Sequence, residues 1–582
     1  MFLPTTGKEV IALGWASLDI ILVTGDAYID SPFVGVAVIG KVLLQAGFRV
    51  GVIAQPDTGT DADISRLGEP ELFWGVTGGC IDSMVANRTA SGKKRKKDDY
   101  TPGGMNNRRP DRAVLVYSNL IRQYFKNTRP IVLGGIESSL RRIAHYDYWS
   151  NKSKKSILFD AKADYLLYGM ADRSVVELAE ALKNRTDPCS IKGLCYVSRE
   201  ISPECIVLPS YDEVAADNNA LMEMFTVFYR NNDPITARPL AQKHDSRYLV
   251  QNPPALSLTT EELDRVHDLD YERELHPYYR GFGDVRALET IRFSIATHRG
   301  CYGECNFCAI AVHQGRTVRW RSKESILREA KKIAAHPLFK GTIHDVGGPT
   351  ANMYGFECEK KLTEGSCAKK RCLYPKICSK LVVDHGAQID FLRELRRVKG
   401  VRKVVVASGI RYDMILSDRK NGLKYLRDLV RYHISGQMKI APEHSEKRVL
   451  DTMGKPGIDA LLRFRELFNS LTKKVGLKQY LTYYMIAAHP GCTRRDMEQL
   501  ESFCRNNLKV MPRQVQIFTP TPSTYSTLMY CTGIDPFTGE PCFVEKTTAG
   551  REKQKKIMFR EKSSPGSKTP STSFLAKRKK QR

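Results

Sequence analysis

Cys301-Tyr302-Gly303-Glu304-Cys305-Asn306-Phe307-Cys308 is a C-x3-C-x2-C run, three thiols within eight residues. The apolar stretch 291–297 before it reads as a strand that ends at the cysteines, and Gly300 and Gly303 relax the loop between them. Zinc sites usually pair cysteines as C-x2–4-C with two more distant ligands. Iron–sulfur clusters take thiolates in compact runs, typically four. Three thiolates on a four-iron cluster leave one iron open, and an open iron can bind a substrate or cofactor as well as carry electrons. A zinc or purely structural site is the alternative reading of this spacing.

Downstream, residues 322–335 place Ile326, Ala330 and Ile333 on one helical face. Strands are predicted over 341–346, 402–407, 437–440, 479–486 and 513–518. They end respectively in Gly347-Gly348-Pro349-Thr350, Ser408-Gly409-Ile410-Arg411, Ala441-Pro442-Glu443-His444, His489-Pro490-Gly491 and Thr519-Pro520-Thr521-Pro522. With 291–297 these make six strands whose C-terminal ends carry glycine or polar residues. That pattern predicts a partial or full (β/α) barrel over 286–545 with its site on that face.

A second cysteine set, Cys358, Cys367, Cys372 and Cys378, falls in an insertion at 355–380 after the second barrel strand. Lysines and arginines interleave it and would offset thiolate charge. An auxiliary Fe–S cluster or a structural zinc is expected, against a metal-free loop as the bland alternative. Cys80, Cys492, Cys504, Cys531 and Cys542 are scattered and read as buried apolar residues. His444 and His489 read equally as hydrogen-bonded loop residues or substrate contacts.

Upstream, residues 1–185 alternate strands (19–24, 49–54, 72–76, 129–134, 164–168) with helices (33–47, 137–143, 172–182). This alternation predicts a doubly wound parallel sheet, which binds ligands beyond its strand C-termini. Residues 186–285 are less regular and are expected to connect the two α/β bodies. Their Cys189, Cys195 and Cys205 show no metal spacing.

Composition fits a soluble globular chain: 582 residues, 42% apolar and 27% charged. Fifteen cysteines are too sparse for a disulfide scaffold, and no apolar run approaches the ~18 residues of a membrane span. A cytoplasmic protein with reduced thiols and no membrane partner is expected. The 91 Lys+Arg against 64 Asp+Glu give +27, of which +11 lies in 546–582. That segment is expected to be a largely disordered basic tail. Its charge suggests RNA, but no aromatic stacking platform accompanies it, and a solubilising tail is the plainer reading.

The chain resembles the YgiQ family of radical S-adenosylmethionine (SAM) proteins from Phe2 to about Phe559. The strings that carry the resemblance are Leu22-Val-Thr-Gly-Asp-Ala-Tyr28, Ile53-Ala-Gln-Pro-Asp57, Leu133-Gly-Gly-Ile-Glu137 with Arg141-Arg142, and Ala144-His-Tyr-Asp-Tyr-Trp-Ser150. To these add the cysteine motif, Asp345-Val-Gly-Gly-Pro-Thr-Ala-Asn-Met-Tyr354 and Lys439-Ile-Ala-Pro-Glu-His-Ser445. The resemblance implies that Cys301, Cys305 and Cys308 hold a [4Fe-4S] cluster whose open iron is chelated by SAM. An electron from a reductant such as flavodoxin or ferredoxin would then cleave SAM and release a 5′-deoxyadenosyl radical. It further implies that Gly347 and Gly348 admit the SAM amino group, with Pro349-Thr350 where the superfamily has an acidic residue. Ser408 and Glu443 would reach ribose hydroxyls or charge, and Phe307 would pack on adenine. The substrate is unspecified. An RNA-modifying radical SAM enzyme, or a non-catalytic Fe–S or zinc protein that binds RNA, are the rival readings.

A doubly wound domain ahead of such a barrel resembles the cobalamin-binding arrangement of one radical SAM subclass. There the lower cobalt ligand is the His of D-x-H-x-x-G. Here Asp30-Ser-Pro32-Phe-Val-Gly35 has Pro32 at that place, which excludes a His ligand at this position; a scaffold or substrate-holding domain is the plainer reading, with cobalamin bound without a protein ligand as the alternative.

Overall fold

The computed structural model describes residues 1–368 and 370–559. In the first body, alternate residues of each strand face opposite sides of the sheet. Ile21 and Val23 pack with Trp74, Val76, Ile131 and Leu133 on one face. Ile20 and Leu22 pack with Val50, Val52, Phe73 and Val132 on the other. Both faces are apolar, so both are covered by helices, and the strands read as continuous apolar runs. The sequence-predicted strands appear as Ile20–Thr24, Val50–Ala54, Phe73–Thr77, Ile131–Gly134 and Tyr165–Leu167.

The sheet is larger than the sequence suggests. Its nine strands run in the order Val50–Ala54, Ile20–Thr24, Phe73–Thr77, Ile131–Gly134, Tyr165–Leu167, Leu194–Ser198, Arg247–Gln251, Leu240–His244, Ile206–Leu208. The first five are parallel. Leu194–Ser198, Arg247–Gln251 and Leu240–His244 join antiparallel. The region 186–285, expected to connect two bodies, thus completes the first one. Its end also docks there: His276 stacks on Tyr28 at 5.5 Å, and the Tyr279 hydroxyl accepts from the Ala54 N–H at 2.8 Å. Short strands with weak alternation hid this from the sequence, because sheet pairing is a long-range property.

All six barrel strands form, and their pairing follows chain order. Ile295–Ala296 pairs in parallel with Val346–Gly347, and Thr342–Ile343 with Lys403–Val404. A single parallel bridge joins Ile410 to Ile440, and Gln437–Glu443, Tyr480–Ala487 and Gln514–Ile517 continue in parallel. No pairing links the sixth strand to the first among the described residues, so the barrel is partial. Its core sets Ile343, Val346, Val404, Met438, Ile440 and Met485 against Ile326, Phe391, Phe464 and Phe468 of the surrounding helices.

The basic segment at 546–582 also departs from expectation at its start. Helix Thr548–Ile557 buries Arg551, Gln554 and Ile557, and Gln554 bonds to the backbone of Cys492 and Ala488. Residues 560–582, where the rest of the expected tail falls, lie outside the described residues. No helix among those described is long and apolar enough to cross a membrane.

Candidate active site

The cysteine loop leaves the first barrel strand, and three residues between its cysteines are tied to distant elements. Tyr302 is fully buried and its hydroxyl donates to the Phe356 carbonyl. Glu304 is bound by Arg316 at 3.3 Å and by the Tyr229 hydroxyl at 3.4 Å. Asn306 donates from its side chain to the Thr452 carbonyl at 2.8 Å and from its N–H to the Met453 carbonyl at 2.9 Å. The loop is therefore fixed by the first body, the cysteine insertion and the helix Lys447–Met453 together.

Gly303 sits at the middle of the site. A β-carbon there would lie 3.2 Å from Cys301 Sγ, 3.6 Å from Cys305 Sγ and 3.6 Å from Arg411 Nη1. The missing side chain leaves a space bounded by two thiols and a guanidinium. The Gly303 N–H donates to Cys301 Sγ at 3.3 Å, and the Thr350 hydroxyl stands 3.6 Å from the same sulfur. Burial pushes the Cys301 thiol up, Cys305 adds to it, and the Gly303 N–H and Arg411 pull the other way. The Cys308 thiol is pushed up to about 12 by burial, then by Cys305, Cys301 and Glu443. Cys301 and Cys308 thus share one electrostatic neighbourhood, each acting on the other or on Cys305.

Among the described residues, no three or more His, Cys, Asp or Glu side chains converge tightly enough to hold one metal ion. A single zinc ion would bring each sulfur to about 2.3 Å from one centre. Thiolates of a cluster bind separate irons and stand further apart. Three half-buried soft donors in one loop, two of them bordering a side-chain-free position, are a donor set that fits a cluster.

Glu443 ends the fourth strand, past a register shift between Ile440 and Glu443, in a left-handed conformation with φ 71°. A non-glycine residue held there stores strain of the kind that collects at functional sites. Burial raises its carboxyl, and Lys455, 3.7 Å away, and Arg411 lower it. Its charge also acts on the Cys308 thiol.

The other expected residues have protein partners of their own. The Ser408 hydroxyl donates to Asp345, which also accepts the Ala407 and Ser408 N–H groups at 2.7 and 3.1 Å. A β-carbon on Gly348 would fall 2.5 Å from the His298 ring, so that glycine is required by packing. On Gly347 it would meet Ala351 at 3.2 Å, with Ser408 Cβ at 3.8 Å. Pro349 is half-buried in the same turn, and the Thr350 carbonyl is 2.9 Å from His298 Nε2. Phe307 meets His489 edge-on at 6.2 Å and packs on the barrel core. Sequence reasoning missed Arg411, Asp345, Lys455 and Glu304. Arg411 and Asp345 stood inside quoted strings, but nothing local marks which strand-end residues point at the thiols.

Two cavities adjoin the site. One of about 640 Å³ is bordered by the first five barrel strands and lined by Ser294, His344, Asp345, Ser408, Lys439 and Tyr484. The other, of about 360 Å³, lies where the first sheet reverses its strand order, between Thr24, Thr77 and Gly135 on the sheet side and Ile310 and His313 beyond Cys308. Phe33 lines both. Gly135, with φ 78°, leaves room for the Thr77 hydroxyl, which a β-carbon would approach to 2.3 Å. Several side chains that line the second cavity have protein partners. Asp26 binds Arg109 at 2.7 Å and the Cys80 N–H at 2.6 Å, burial holds the Cys80 thiol well up, and His313 Nδ1 is 3.1 Å from the Ser139 hydroxyl.

In the insertion, Cys358, Cys372 and Cys378 pack with Cys301 against one apolar patch that includes Tyr302, Phe356, Leu373 and Leu381. Cys367 is exposed. Burial pushes the Cys372 thiol up to about 11, and Lys361 opposes it.

Comparison with known proteins agrees with this architecture. Residues 2–294 match the family model described as Radical SAM N-terminal, and residues 295–504 the Radical SAM superfamily. An UPF0313 protein of Fusobacterium nucleatum is 56% identical over 96% of this chain and 98% of its own length. One from Thermotoga maritima is 49% identical over 97% and 99%. Among solved structures, the radical S-adenosylmethionine methyltransferase TsrM from Kitasatospora setae, with cobalamin and a [4Fe-4S] cluster bound, matches with a TM-score of 0.51. It is 14% identical and covers 88% of this chain and 78% of that one, a likeness of fold.

Proposed function

Because the chain belongs to the UPF0313 (YgiQ) family and is an enzyme of the radical SAM class, we propose that Cys301, Cys305 and Cys308 hold a [4Fe-4S] cluster and that SAM binds beside it. When bound, that pair supplies reductive cleavage of SAM to a 5′-deoxyadenosyl radical. The observation that carries the reading is the space at Gly303 between two thiols and a guanidinium, at the C-terminal end of the first barrel strand. Gly347 and Thr350 form one wall beside Cys301, where a bound SAM would meet backbone and a hydroxyl. Glu443 and Lys455 place a buried charge pair beside the same loop. The Asp345 carboxylate holds Ser408 in one orientation at the rim of the barrel cavity. That cavity is where a substrate would face SAM, and His344, Lys439 and Tyr484 give it a polar lining.

The test is anaerobic reconstitution with iron and sulfide, followed by SAM and dithionite. 5′-Deoxyadenosine is expected from the wild type, with a loss of at least about a hundredfold in Cys305→Ala. A fully loaded cluster that yields none would refute SAM cleavage.

The cavity of the first body favours a second cofactor reading, a corrinoid held by shape without a protein ligand. Pro32, at the place where the cobalt-ligating His would stand, accords with the missing ligand. Protein from cells grown with the vitamin, or mixed with hydroxocobalamin, should then carry corrinoid absorbance through gel filtration. Complete separation of vitamin from protein would end this reading.

A further inference from the structure

Arg411 belongs to neither the cysteine motif nor the glycine turn, yet its guanidinium borders the thiols. Its backbone is fixed first. Asn352 accepts the Arg411 N–H at 2.8 Å and donates to its carbonyl at 3.0 Å. Asn352 is in turn held by His385 at 3.2 Å, and His385 by Asp418 at 2.8 Å, all fully or nearly fully buried. The side chain is fixed next. Asp413 takes Nε at 2.8 Å and Nη2 at 2.6 Å, a two-pronged pair that aligns the guanidinium plane. That pair does not use Nη1, the nitrogen that borders the Gly303 space with Cys301 and Cys305. Burial works against the Arg411 charge, and Asp413 and then Cys305 outweigh it.

We propose that Arg411 is a positioning residue for the cluster: its fixed charge, aimed between Cys301 and Cys305, stabilises the reduced state and raises the reduction potential. Net charge and hydrogen bonds to sulfur are among the protein's levers on cluster potential. A cation in a site sheltered from water acts more strongly than the same charge at the surface. Three thiolates and the neighbouring Glu443 add negative charge, so reduction adds an electron where electrons are already disfavoured. Arg411 borders two of the thiols, and Lys455 pairs with Glu443. Arg411 is the one fixed at both backbone and side chain. The inference rests on the cluster reading given above.

The experiment is a potentiometric titration of the reconstituted protein, followed by the electron paramagnetic resonance of the reduced cluster. Wild type, Arg411→Gln, Arg411→Lys and Asp413→Asn are compared at matched iron and sulfide content. Arg411→Gln should move the midpoint to more negative values, by about tenfold in the reduction equilibrium, or about 59 mV for one electron. Arg411→Lys should move it less, since charge remains without the two-pronged pair. Asp413→Asn should move it the other way, since a negative charge is lost. Equal loading with an unchanged midpoint in Arg411→Gln overturns the proposal. If Arg411→Gln takes up no cluster while its apoprotein melts like the wild type, the midpoints of Arg411→Lys and Asp413→Asn decide in its place. If that variant does not fold, Arg411→Lys and Asp413→Asn decide, and two midpoints equal to wild type overturn it. A wild type that binds no four-iron cluster would instead overturn the cluster reading itself.

Discussion

His298 shows how one side chain can fix the residues around it. Its Nε2 is 2.9 Å from the Thr350 carbonyl and its Nδ1 is 2.8 Å from the Thr297 hydroxyl. Its ring fills the place where a β-carbon of Gly348 would stand. The turn that carries Thr350 toward Cys301 is therefore braced from below by an imidazole. Gly348→Ala forces that ring or the turn to move. Overpacking of this kind costs about 1–3 kcal/mol, so the apoprotein should melt measurably lower than wild type. An unchanged melting temperature would show that the turn yields freely. At this scale the sequence anticipated Gly348 for a ligand, and packing supplies a reason that only the fold could reveal.

The cysteine insertion is the element whose chemistry the fold leaves most open to test. It places Cys358, Cys372 and Cys378 on the patch that also receives Cys301, and leaves Cys367 outside. We propose that these cysteines hold a second Fe–S centre, since its thiolates bind separate irons. Iron and sulfide should then exceed one four-iron cluster per chain. The excess should disappear in a Cys372→Ala, Cys378→Ala variant. Metal content equal to one cluster in both proteins would leave the insertion a purely packed loop. The three spacings were legible in sequence, but which cysteines share a patch was not, because among its described residues the insertion has only the short helix Glu359–Glu364 to give it periodicity.

Across the whole molecule, burial keeps most histidines neutral. His145, His244, His298, His433 and His444 are lowered to about 4 and His489 to about 3, burial being the largest cause in each. In the unfolded chain they titrate near 6.5. Between about pH 6.5 and 4 the unfolded chain binds protons that the folded one refuses, so stability rises with pH over that window. Their contribution is fully present above pH 6.5 and is lost as pH falls toward 4. Each contributes up to about 1.4 kcal/mol per pH unit. The apoprotein should therefore melt well below its pH 7 temperature at pH 5. Equal melting temperatures at the two values would show that these rings accept protons in place.

The sequence alone determined the family resemblance and the alternation that gives two α/β bodies. A C-x3-C-x2-C run fits in one loop, and strand–helix alternation is written in local periodicity. Six barrel strands and five of the first sheet were legible for that reason. Tertiary structure decided what no local pattern encodes. It carried residues 194–251 into the first sheet and bound helix Thr548–Ile557 to the barrel. It brought Arg411 to the space at Gly303 and set Phe33 between two cavities. Those contacts join residues far apart in the chain. They follow from burial and charge pairing in the folded state, which leave no period in the sequence to read.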